Sequence, residues 1–230
     1  MTCQNEWQKT NTGKKNPKYT RQKHNCDYCG REHIVKAYKI NNKNLFCSTE
    51  CRQKWFADIW SQNEEWKNES RKRAVKILSN GIISKTNSKP QVIVDSILDE
   101  LSVNYQREYP AGYYSIDNFL SDYNLCIEVM GDFWHASPIK YAKLKYEKQT
   151  KTVHRDIQKR KYVKDNIGCE ILYLWESDII NNKNLCTSLI KLYIHSNGVL
   201  PNYHSFNYFI LNGSIFPSNN KILALQDTML

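Results

Sequence analysis

The sequence predicts an α/β domain preceded by a small basic module held by four cysteines. Three observations carry that reading. From Pro90 onward, helix-like and strand-like stretches alternate. Two cysteine pairs stand near the N-terminus at metal-ligand spacing. The charge also divides unevenly. Residues 1–90 hold 19 Lys+Arg against 8 Asp+Glu, and residues 91–230 hold 14 against 15.

With 40% hydrophobic and 24% charged residues, the 230-residue chain is expected to fold rather than stay disordered. No apolar run approaches the roughly 20 residues of a membrane span, so no membrane partner is expected. The first residues, MTCQNEWQKTNTGKK, contain no apolar leader segment, which predicts a cytoplasmic protein. A basic part joined to a near-neutral part fits capture of a polyanion by the first and separate work by the second.

The cysteine pairs are Cys26-Asp-Tyr-Cys29 and, after seventeen intervening residues, Cys47-Ser-Thr-Glu-Cys51. Zn²⁺ takes four soft ligands at tetrahedral corners, and two short pairs brought together supply them. The segment between them, HIVKAYKINNKNLF, alternates enough to be a hairpin, and a helical stretch follows Cys51. A hairpin followed by a helix resembles a treble-clef zinc finger, with a module at about 24–60. Four cysteines close the coordination shell, so the zinc is structural. Disulfides are disfavoured in a reducing compartment. Cys126, Cys169 and Cys186 lie in apolar stretches and read as buried thiols, and Cys3 has no pairing pattern. Lys14, Lys15, Lys18, Arg21, Lys23, Arg31, Lys36, Lys39 and Lys43 surround the pairs, and Lys67, Arg71, Lys72, Arg73 and Lys76 follow. Residues 1–88 therefore read as a zinc-stapled arm that binds nucleic acid, with KTNSKP (85–90) as the linker.

The second part opens with QVIVDSILDEL (91–101), a helical pattern with Pro90 at its start. Strand-like VNYQREYP, SIDNFL and LCIEVMG follow, and Ser121-Asp122-Tyr123-Asn124 is turn chemistry between the last two. A two-residue loop at Asp122-Tyr123 places Leu120 opposite Leu125 and Asp117 opposite Glu128. Opposed residues share a face about 5 Å apart. Ile116, Leu120, Leu125, Ile127 and Val129 take the other face, which leaves the carboxylates on a side not needed for packing. Two close carboxylates repel unless a cation lies between them, and Mg²⁺ accepts oxygen ligands of this kind. Gly131-Asp132-Phe133-Trp134-His135 then adds a third carboxylate and an imidazole. Further on, Val153-His154-Arg155-Asp156 opens a Lys-rich helix that ends at Gly168, before the strand CEILYLW (169–175). A His paired with a carboxylate can act as a general base on water. Lys159, Arg160, Lys161 and Lys164 read either as phosphate neutralisers or as a wet helix face.

The stretch IDNFLSDYNLCIEVMGDFWH, the later HRD, and the strand ending in Trp175-Glu176 resemble the very short patch repair endonucleases and the related EDxHD homing endonucleases. The resemblance covers about residues 88–196. The terminal NYHSFNY (202–208) is similar to a segment of phage-encoded homing enzymes. It implies a restriction-endonuclease-like, PD-(D/E)XK fold, a mixed sheet flanked by helices, over 89–209, with 210–230 as a tail. It implies Mg²⁺-dependent cleavage of double-stranded DNA, with Asp117 as metal ligand and the Val129 carbonyl completing the shell. It makes His135 the group that activates water and Asp156 its support. Glu128 fits the second carboxylate of the PD-(D/E)XK motif, but Met130 stands where that motif wants a Lys. The family's helix-borne Glu falls at Gln91, which could hold a metal-bound water without bringing charge. The expected function is a homing endonuclease. Repair, restriction, or DNA binding by a silent nuclease domain are the alternatives.

Overall fold

A computed structural model describes residues 20–42, 44–81, 88–220 and 222–228. Cys3, Lys14, Lys15, Lys18, Lys43 and the first half of the expected linker lie outside them. By its contacts the chain divides into two units, Met1–Glu69 and Ser70–Leu230.

In the first unit, β1 (Arg21–Asn25) pairs antiparallel with β2 (Glu32–Lys36). The first cysteine pair occupies the turn between them, where the Gly30 N–H bonds the Cys26 carbonyl at 2.9 Å. The hairpin expected between the two cysteine pairs is therefore shifted. Only its first half is a strand, paired with the residues upstream of Cys26, and Ala37–Lys39 form a 3-10 turn instead. Helix α1 (Thr49–Asp58) begins at Ser48, whose Oγ accepts the Cys51 N–H at 3.2 Å. This cap places Cys51 in the first helical turn. A second helix, α2 (Glu64–Ser79), spans the division between the units.

The second unit begins its core with α3 (Lys89–Glu100), which has Ser88 at its N-cap and Pro90 in its first turn. Strands β3 (Gln106–Ala111), β4 (Tyr114–Leu120), β5 (Leu125–Met130) and β6 (Ile171–Trp175) form one sheet in that order. The first two pairings are antiparallel and β5–β6 is parallel, so the sheet is mixed. Parallel neighbours need a long crossover, and here it carries α4 (Glu147–Ile167). That helix starts about two turns before the predicted Val153. It ends at Gly168, whose φ of +75° is open to glycine at little cost. The β4–β5 register is the one the Asp122-Tyr123 loop requires: Leu120 faces Leu125, Phe119 faces Cys126 and Asn118 faces Ile127.

Both faces of the sheet are packed. Leu120, Leu125, Ile127, Leu172 and Leu174 meet α3, α5 (Glu176–Asn181) and α6 (Lys183–His195). Cys126, Met130, Tyr173 and Trp175 meet Val163 of α4 and Phe206. The expectation that the carboxylate side is free of packing is thus corrected, and so is the place of Ile116, which packs with Cys126 and Met130 rather than with Leu120 and Ile127. A parallel β5–β6 pair is covered on both faces, because its crossover helix must lie on one of them.

The C-terminal segment belongs to this unit. Tyr203–Ser205 run beside β6: Tyr173 donates its N–H to the Tyr203 carbonyl at 3.0 Å, and Trp175 donates its N–H to Ser205 Oγ at 2.9 Å. Strand β7 (Tyr208–Leu211) crosses the expected boundary at 209 and forms a hairpin with β8 (Ser214–Pro217). The last described element, α7 (Leu225–Thr228), returns to α4, where Asp227 pairs with Arg160 at 3.1 Å.

Candidate active site and metal centre

In the first unit the Sγ atoms of Cys26, Cys29, Cys47 and Cys51 all lie within 4.8 Å of one another. Cys29 and Cys47 are 3.6 Å apart, and Cys47 and Cys51 are 3.5 Å apart. A tetrahedron with Zn–S bonds of about 2.3 Å has S–S edges of about 3.8 Å. A disulfide would need about 2.0 Å. The donor set therefore fits one structural Zn²⁺. Burial pushes the Cys26 thiol up, but backbone N–H groups of Cys29, Cys47 and Tyr28 outweigh it and bring it down to about 6. Those bonds favour the thiolate that a metal binds.

The second site lies on the β4–β5 pair and α4. Asp117 and Glu128 bond each other's backbone neighbourhoods. Asp117 Oδ2 accepts the Val129 N–H at 2.9 Å, and Glu128 Oε1 accepts the Asp117 N–H at 3.2 Å. On the other side of Asp117, the β3–β4 ladder breaks opposite it, where Glu108 has φ +48°. Strained backbone of this kind gathers at functional sites.

Glu128 is buried, and Lys159 from α4 reaches its Oε1 at 2.5 Å. Burial and the Asp117 charge push the Glu128 carboxyl up to about 7, against the pull of Lys159. Burial works against the charge on Lys159, but Glu128, Asp117 and Asp156 outweigh it and hold the ammonium above its ordinary value. A lysine does stand at this carboxylate, although not two residues after it. It comes from the crossover helix, a place that the sequence motif does not inspect.

The loop after β5 turns His135 toward α4. The His135 N–H bonds the Gly131 carbonyl at 3.0 Å, and the Ser137 N–H bonds the Asp132 carbonyl at 2.9 Å. Gln149, fully buried in the early turns of α4, donates to the Phe133 carbonyl at 2.8 Å. This clamp leaves Phe133 and Trp134 exposed while His135 Nδ1 lies 2.6 Å from Asp156 Oδ2. Burial lowers the His135 imidazole, but the hydrogen bond and charge of Asp156 dominate, so the net shift is upward. Glu128 and Lys159 also act on it, which makes the Asp117–Glu128–Lys159 group and the His135–Asp156 pair one electrostatic unit. Gln226 Nε2 donates to Asp156 Oδ2 at 3.1 Å, so the C-terminal helix supports the same carboxylate.

The structure thus brings together Asp117, Glu128, Val129, His135 and Asp156. Two expected members lie elsewhere. Gln91 donates to Asn118 Oδ1 at 2.8 Å and to Asp95 Oδ1 at 2.9 Å. Asn118 alternates to the face opposite Asp117, so Gln91 braces α3 against the sheet. Asp132 pairs with Lys140 at 2.7 Å, accepts the Ser177 hydroxyl, and donates its N–H to Glu176 Oε2 at 3.0 Å. Its carboxylate is committed to the start of α5. Of the phosphate-neutraliser candidates, Arg160 is tied to Asp227 and Tyr203, and Lys164 to Glu170.

Neither protein-family models nor curated proteins give a match to this sequence. Among the described residues, no helix is long and apolar enough to cross a membrane.

Proposed function

We propose that this chain is a Mg²⁺-dependent endodeoxyribonuclease that hydrolyses phosphodiester bonds of double-stranded DNA in a homing role. The observation that carries the reading is the joining of two carboxylates, a lysine and a carboxylate-oriented histidine in one partly open site. Asp117 and Glu128 each keep one carboxylate oxygen, Oδ1 and Oε2, without a hydrogen-bond partner among the described residues. Two hard oxygens on like-charged neighbours suit Mg²⁺, with the Val129 carbonyl as the expected third ligand. When bound, the ion would supply positive charge to the phosphate oxygen and leaving group. His135 uses Nδ1–H to bond Asp156, which leaves Nε2 as the lone pair that takes a proton from water. Lys159 steadies Glu128 against Asp117 and can lend charge to the phosphate. The zinc-stapled unit would grip DNA chiefly through phosphates.

The Glu128–Lys159 ion pair favours one other reading, a DNA-binding protein whose nuclease fold is silent. There the lysine supplies the positive charge that the carboxylates need. Purified protein with Mg²⁺ and supercoiled plasmids, including one carrying the gene's own flanking locus, separates the two. The endonuclease reading expects nicked or linear product that Asp117→Ala and His135→Ala abolish. Intact plasmid throughout, with DNA binding retained, would establish the silent fold.

A further inference from the structure

A cleft of about 410 Å³ opens in the second unit between the start of β4 and the outer face of α4. Its size falls in the range of about 300–1,000 Å³ that accommodates small ligands. Arg71, Lys151, His154 and Arg155 line it, with Tyr113 and Tyr114 as aromatic walls. No carboxylate lines it. Lys151 pairs with Glu147 at 2.7 Å, whereas His154 and Arg155 have no ion pair among the described residues. The ammonium of Lys72 stands 5.3 Å from the centre of the Tyr113 ring, which adds another cation at the rim.

The cleft adjoins the candidate active site. Arg155 precedes Asp156 in α4 and lies one turn before Lys159. Tyr114 is within electrostatic reach of Arg155, Arg71 and Lys159 alike. Lys151, His154, Arg155 and Gln158 repeat at helical spacing, so one strip of α4 faces the cleft while Asp156 and Lys159 face the sheet. Arg71 and Lys72, which the sequence assigns to the N-terminal arm, act here as part of the nuclease unit.

We propose that this cleft binds a backbone phosphate of the DNA strand beside the one being cut, with Arg71 and Arg155 sharing a single phosphate. The proposal rests on the nuclease reading for its ligand, but its chemistry is that of a phosphodiester on paired guanidinium groups. Arginine is suited to this because its planar fork meets two phosphate oxygens at once.

The test uses the full zinc-loaded chain and a mixed-sequence 30-base-pair duplex, with Ca²⁺ in place of Mg²⁺. Affinity is measured by fluorescence anisotropy across salt concentrations. Arg155→Gln and Arg71→Gln should each weaken binding about tenfold and reduce the slope of log K against log salt by about 0.9, the value for one phosphate. The double variant should reduce the slope by about the same 0.9, because both groups serve one phosphate. Lys191→Gln, an exposed lysine on α6, should leave the slope unchanged. Unchanged binding by the arginine variants, or a loss matched by Lys191→Gln, would overturn the proposal. A double variant that loses about 1.8 would also overturn the shared contact. Plasmid cutting by the wild type is a separate readout. If it is absent while the slope changes hold, the nuclease reading fails and the phosphate cleft stands.

Discussion

The two units of this chain are held by different physics. Between residues 20 and 69, Cys26 is the single described residue that is buried. The second unit buries two apolar clusters, one on each face of its sheet. A small segment without a core cannot offset the entropy of ordering its chain. Four thiols gathered at tetrahedral spacing are its substitute. The sheet unit can hold two buried carboxylates beside a partly buried lysine and imidazole because its packed clusters supply the stability that such a site consumes. The comparison teaches that the two polar clusters stand in opposite relations to their units: four thiols able to hold a metal take the place of a core in the first, whereas the carboxylates, lysine and imidazole of the second sit in a unit that its packed clusters hold without them.

The largest expected effect follows from that contrast. Structural zinc in finger peptides contributes about 10–16 kcal/mol at neutral pH. Elemental analysis should find one zinc per chain. Removal by a strong chelator should abolish amide-exchange protection over residues 20–60 and leave that of β4, β5 and β6 intact. Loss of protection in both regions together would break the comparison.

Within the sheet unit, the largest single-residue effect is expected at Lys159. Lys159→Ala leaves Glu128 buried beside Asp117 with no cation, and breaking a buried pair from one side costs about 3–5 kcal/mol. The double variant Lys159→Met with Glu128→Gln should recover most of that loss. Urea unfolding of the three proteins gives the values, and a cost under about 1 kcal/mol for Lys159→Ala would show the pair to be solvated. Core truncation sharpens the same contrast. Leu172→Ala, fully buried, should cost about 2–5 kcal/mol. Ile34→Ala, 66% exposed in the first unit, should change stability by no more than about 0.5 kcal/mol.

How much of this was legible in the sequence depended on the range of the interaction. The β4–β5 register followed from turn residues at Asp122-Tyr123 and from alternation, both local. Gly168 marked the end of α4 for the same reason. The hairpin near the cysteines differs from the expected one because RQKHN, wholly polar or charged, carries no alternation. In the sequence Lys159 is one member of a charge run. A partly buried, ion-paired lysine and a solvated one look alike in KRK, and only the crossover geometry separates them. Gln226, seventy residues from Asp156, left no local signal. Gln91 and Asp132 had the right chemistry, but strand alternation and the start of α5 direct them to other partners.

The smallest expected effect concerns pH. The His135 imidazole is raised above its ordinary value by Asp156, net of burial. A general base must be neutral, so cleavage should rise with pH through a value above about 6.5. Asp156→Asn removes the carboxylate and should move this limb to lower pH while slowing the reaction. For stability the sign is opposite. The His135–Asp156 pair stabilises the fold below the ordinary His value and loses that contribution as pH rises through the raised one. A limb that stays in place in Asp156→Asn would assign the titration to another group.

The central claim is that His135 activates water beside the Asp117–Glu128 carboxylates. Its most direct test is the single-turnover rate of cutting at the cognate locus by zinc-replete wild type and His135→Ala, at one Mg²⁺ concentration. The account predicts a loss of about 10²–10⁴-fold in the variant, with DNA affinity and zinc content unchanged. Equal rates for the two proteins would contradict it.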